Sequence, residues 1–128
     1  LGNGTLALER YVGRVQMTHD ILDATDEADL NVIVADDRDV LADLFYAGRY
    51  HPAMVYAVPP KGRAPHHYAL KFPYPGGTED VLYVTRSGHP VPCPETSQEF
   101  TRIAPQDGAY RRHPQTVYVV PGNCFDSN

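Results

Sequence analysis

Tryptophan is missing from this 128-residue chain, and phenylalanine and methionine are scarce at 4 and 2. No apolar run approaches the roughly 20 residues that a membrane-crossing helix needs, so the sequence offers no membrane span. Cysteine is sparse as well: Cys93 and Cys124 allow one crosslink at most. Positive charge is also short, with 11 Lys and Arg against 16 Asp and Glu and a formal charge of −5. Holding long nucleic acid through net field relies on clustered cations, and this balance argues against it, though a small nucleotide site stays open.

Tyrosine, by contrast, is abundant at 9, and 12 Pro and 10 Gly punctuate the chain, a pattern of short strands joined by tight turns. A chain of this length buries roughly two thirds of its unfolded surface, enough for one core and one domain spanning 1–128, expected as a monomer without metal or cofactor. In an exported protein Cys93 and Cys124 would pair, which is worth about 3 to 4 kcal/mol in the chain-entropy model. The chain begins at Leu1 and carries the sequon Asn3-Gly4-Thr5. Both features are read as export after removal of an upstream segment, which gives a secreted, extracellular location.

Thr18-His19-Asp20 ahead of Ile21, Leu22, Ala24 and Ala28 predicts a capped amphipathic helix ending near Asp29. Asn31 to Ala35 is a short apolar run, and Asp36 or Asp37 caps a second helix through Val40, Leu41, Leu44 and Phe45 that Gly48 stops. Beyond Gly48 the apolar period becomes two, with strands expected at 53–58, 66–72, 80–85, 100–104 and 115–120. Helices first and strands afterwards predict an α+β fold, an N-terminal helical part packed on an antiparallel sheet of four to five strands. Acids crowd residues 20 to 43, while Arg86, Arg102, Arg111, Arg112 and His113 fall late.

One segment draws particular notice. In Tyr68-Ala69-Leu70-Lys71-Phe72-Pro73 the alternation puts Tyr68, Leu70 and Phe72 on one face and Lys71 on the other. Four further motifs are Tyr11-Val12-Gly13 with Thr18, Asp20-Ile21 and Ala24; Tyr50-His51-Pro52; Phe100-Thr101-Arg102-Ile103; and Gly108-Ala109-Tyr110 leading to His113. In this order, over residues 11 to 124, the five resemble the small extracellular guanyl-preferring ribonucleases and ribotoxins. Three departures stand out: Val12 replaces the family's opening cysteine, Lys71 its catalytic glutamate, and residues 29 to 47 form an insertion.

That resemblance implies a ribonuclease-like fold and a cleft formed by Tyr50, His51, Lys71, Arg102 and His113. Proton abstraction needs an acceptor near neutral pKa, and a lysine, at a reference value of about 10.4, stays protonated. Enzyme status is therefore left undecided, with binding ranked above cleavage. The resemblance implies a non-catalytic secreted effector of the kind made by plant-pathogenic fungi, recognising a host protein or RNA. Two alternatives are kept: an active ribonuclease or toxin with His51 as base, and an unrelated α+β interaction module. Each residue also has a plainer role: His51 as a cap, Lys71 solvating a sheet, Arg102 pairing with Glu99 or Glu95, and His113 in a basic loop. His66-His67 lacks a third ligand at metal spacing, and Asp36, Asp37 and Asp39 read as first-turn charge.

Overall fold

A computed structural model describes residues 2–59, 71–106, 108 and 110–126, with side chains from residue 13 onward. Helix α1 runs Gly2–Glu27 and is followed by β1 (Val32–Ala35), α2 (Arg38–Ala47), β2 (Met54–Ala57), β3 (Asp80–Arg86), β4 (Gln98–Ile103) and β5 (Gln115–Pro121), with a 3₁₀ turn at Gly122–Phe125. The α+β class stands, with the helical part first and five strands. The pairing is mixed, however, where the sequence pattern predicts an antiparallel sheet. In the order β2-β1-β3-β5-β4, β1 runs parallel to both β2 and β3, while β5 runs antiparallel to β3 and β4. The cause is the apolar run 32–35: it is a strand, so β1, α2 and β2 make a crossover, and a crossover returns a parallel strand.

Both helix ends near the sheet carry their own chemistry. The Asp29 backbone takes the left-handed φ of 56°, and the Leu30 amide donates to the Thr25 carbonyl at 3.1 Å, closing α1 as a Schellman turn does. Asp37 caps α2, its Oδ1 accepting from the amides of Asp39 at 2.8 Å and Val40 at 3.3 Å. Gly48 closes that helix, its amide donating to the Leu44 carbonyl at 3.1 Å.

Strand alternation then sorts the core into two faces. On one side Met17, Ile21 and Ala24 of α1, spaced by four and three residues, join Val40, Leu41 and Leu44 of α2 over Ile33, Ala35, Leu82, Val84 and Val117. On the other, Val34, Val81, Tyr83 and Val120 lie beneath Tyr74 and Phe125. In the aromatic layer Tyr74 packs edge-on to Phe125 with centroids 5.7 Å apart, and Tyr83 is tilted against the same ring at 5.4 Å. Cys93 and Cys124 are joined by a disulfide, which ties the segment between β3 and β4 to the turn that carries Phe125. Gly122 in that turn leaves no room for a side chain: an added Cβ would lie 2.5 Å from Tyr74 Oη and 2.6 Å from the Glu79 carbonyl.

The strand expected over 66–72 falls mostly outside the described residues. Where it re-enters them, Lys71 has helical backbone and Phe72 lies in a bend. Among the described residues of this segment, Pro73 bridges Ala57, whose amide donates to the Phe72 carbonyl at 2.8 Å and whose carbonyl accepts from the Tyr74 amide at 2.9 Å. The alternation of that segment therefore does not place Lys71 on a strand.

Candidate functional site

β1, β2 and β3 end on the same side of the sheet, and the chain leaves β1 toward β2 while β3 lies on the other flank. In open sheets the space beyond such strand ends, where the connections part, is a recurrent ligand position. Asp36 and Asp37 stand there on consecutive residues, so alternation sends them to opposite faces. Asp37 turns to the helical face and, besides capping α2, accepts from Arg86 Nη2 at 3.2 Å. Asp36 turns to the aromatic face. Its Oδ2 accepts from Thr85 Oγ1 at 2.7 Å, with Tyr83 Oη at 3.5 Å and His89 Nδ1 at 3.8 Å.

A tight turn delivers His89 to this place. The His89 amide donates to the Arg86 carbonyl at 3.0 Å, and Gly88 between them has φ of 93°, a value that glycine reaches freely. Ser87 anchors the same turn, sharing a 2.7 Å hydrogen bond with Thr116 Oγ1 and donating its amide to the Pro114 carbonyl at 2.9 Å. Against this built surround, Asp36 Oδ1 and Arg86 Nε are buried with no hydrogen-bond partner among the described residues. An ionised carboxylate accepts at both oxygens, so Asp36 retains unused capacity. The arrangement offers an acceptor oxygen beside an imidazole, suited to hydroxyl groups. No group of three or more His, Cys, Asp or Glu among the described residues is placed to hold a metal.

Behind the helices lies a second polar assembly. Asp43 accepts from Tyr110 Oη at 2.6 Å and from Arg14 Nε and Nη2 at 3.0 and 2.7 Å. Burial first, and the hydrogen bond to Asp43 second, push the Tyr110 phenol far above its ordinary range. A groove of about 410 Å³ also opens between α1 and β4, lined by Asp20, Asp23 and Glu27 opposite Thr101 and Arg102.

The residues singled out from the sequence are scattered about this frame. His51 lies where β2 begins, its Nε2 2.9 Å from Asp26 Oδ1 and its Nδ1 accepting from the Ala53 amide at 3.1 Å. Its neighbour Tyr50 is 87 % exposed, with the Arg49 guanidinium 4.7 Å from its ring centroid. Arg102 is on the opposite edge strand, exposed, bonded to Glu99 through Nε and Nη2 at 3.2 Å each. Four strand spacings of about 4.8 Å separate β2 from β4, and His51 and Arg102 also lie toward opposite ends of their strands. His113 is exposed in the turn before β5, its amide bonded to the Tyr110 carbonyl at 3.0 Å, and Lys71 is exposed near the end of β2. His66 and His67 lie outside the described residues. Asp36, Thr85 and His89 went unmarked as a site because Asp36 reads equally as a helix cap. Period two continued past Ala35 would have put it on the sheet face.

The chain is similar to a lipid A galacturonosyltransferase of Rhizobium johnstonii, with 31% identity over 126 residues covering 98% of this chain and 26% of that protein. The chain thus spans about a quarter of its curated relative. No family model matches the chain. No solved structure matches it either. A relationship running through nearly the whole sequence overturns the ribonuclease resemblance, which rested on five short motifs. The reading as a fungal ribonuclease-like effector directed at RNA falls with it. No described helix is long and apolar enough to cross a membrane.

Proposed function

We propose that this chain is a sugar-recognition domain of a glycosyltransferase that modifies lipid A, working outside the cytosol and engaging a substrate rather than performing the transfer. The observation that carries this reading is the continuous match of 98% of the chain to 26% of a lipid A galacturonosyltransferase. A unit with its own two-faced core that corresponds to a quarter of an enzyme is suited to an auxiliary role, leaving the chemistry to the remainder. The Cys93–Cys124 bond supports a location where disulfides persist. The strand-end cluster supports sugar recognition, because carboxylate and imidazole groups are common partners of hydroxyls.

Titration of the purified chain with lipid A dispersed in detergent, followed by calorimetry, tests the proposal. Saturable binding that phosphatidylglycerol in the same detergent does not reproduce is the expected result. Indistinguishable heats from the two lipids would overturn it.

A further inference from the structure

The strand-end cluster permits a more specific reading, which rests on the function proposed above. We propose that Asp36 and His89 grip adjacent hydroxyls of a hexopyranose, with the sugar presenting its neutral edge to the site.

Three features of the cluster lead there. Asp36 Oδ2 has one good hydrogen bond, to Thr85 at 2.7 Å, while its second close neighbours stand at 3.5 and 3.8 Å, at or beyond normal bonding distance. Its other oxygen is buried and has no hydrogen-bond partner among the described residues. Leaving such an acceptor unmet is unfavourable, and a hydroxyl donor relieves it. The His89 side chain is 53% exposed, with Nδ1 3.8 Å from Asp36 Oδ2, and the Asp36 side chain is itself 29% exposed, so a ligand can meet both from solvent. An imidazole beside a carboxylate both accepts and donates, which matches two neighbouring hydroxyls that do the same.

Charge and geometry select the ligand class. Asp36 and Asp37 together repel phosphate or carboxylate, and Arg86, the nearby cation, turns its Nη2 to Asp37 on the helical face, away from Asp36. A metal would need further ligands, and among the described residues they are lacking. A uronic acid is therefore held by its ring hydroxyls with its carboxylate pointing outward. Galactose and galacturonate should bind about equally.

The test is an amide-shift NMR titration of the chain with galactose, galacturonate and, as a diol-free control, acetate. Both sugars should shift Asp36, Thr85 and His89 saturably, and acetate should not. Asp36→Asn and His89→Ala should each weaken sugar binding by about tenfold or more, the loss expected for a hydrogen bond to a charged group. His89→Ala removes an exposed ring, so its folded spectrum guards against misreading a folding defect in Asp36→Asn. Absence of shifts, shifts confined to the groove between α1 and β4, or unchanged affinity in a folded His89→Ala would each overturn the site. Lipid A binding that survives both substitutions sinks this site and leaves the broader function standing. Loss of selective lipid A binding in the unaltered chain sinks the broader function.

Discussion

Tyr110 shows how a single phenol can fasten distant parts of a chain. Its hydroxyl lies 2.6 Å from Asp43 Oδ2 on α2, and the same carboxylate holds Arg14 of α1. Tyr110→Phe removes one hydrogen bond to a charged acceptor and should cost about 1.5 to 3 kcal/mol, read as a lower urea midpoint at pH 7. The phenol also sets a pH dependence. Its folded pKa is raised above the unfolded value of about 10. The stability it contributes is therefore complete below that value and declines as pH climbs toward the folded pKa. Tyr74, raised chiefly by burial, adds in the same direction. Urea midpoints from pH 9 upward should fall in the native chain and fall less steeply in Tyr110→Phe.

At the scale of elements, α2 depends on Asp37 twice, through the cap and through Arg86. Asp37→Ala removes both and should lower stability by about 1 to 2 kcal/mol. Asp37→Asn keeps a capping oxygen and loses only the ion pair, so it should recover most of that loss in thermal melts. These elements were the most legible part of the sequence. Asp37, the 3.6-residue spacing of Val40, Leu41 and Leu44, and Gly48 mark α2 from end to end, and Asp29 marks the close of α1. The start of α1 was not legible, because the residues before Thr18 lack a clear apolar stripe. The parallel pairing was hidden for a different reason: a four-residue apolar run carries no information about which strand it joins. The site was harder still. Asp36 lies 49 residues from Thr85 in the chain, and the register of β1 against β3 brings it to the Thr85–His89 turn. His51 and Arg102 looked like partners in sequence order, whereas sheet order sends them to opposite edges.

For the molecule as a whole, the bond between Cys93 and Cys124 closes a loop with a sequence separation of 31 residues. Such a loop is worth about 3 to 4 kcal/mol by chain entropy, a large share of the stability of a domain this small. Cys93→Ser combined with Cys124→Ser should lower the urea midpoint accordingly, and dithiothreitol should reproduce the shift in the native chain while leaving the double variant unaffected.

β5 follows β4 in the chain, yet it is inserted between β3 and β4. Among the described residues edge strand β4 pairs in the sheet with β5, so residues 98–103 must wait for 115–121 before they can join it. During synthesis the sheet therefore cannot be completed until its last strand emerges. A nascent chain halted between Arg86 and Gln115 would hold three of the five strands, with the edge of β3 bare and open to capture by chaperones.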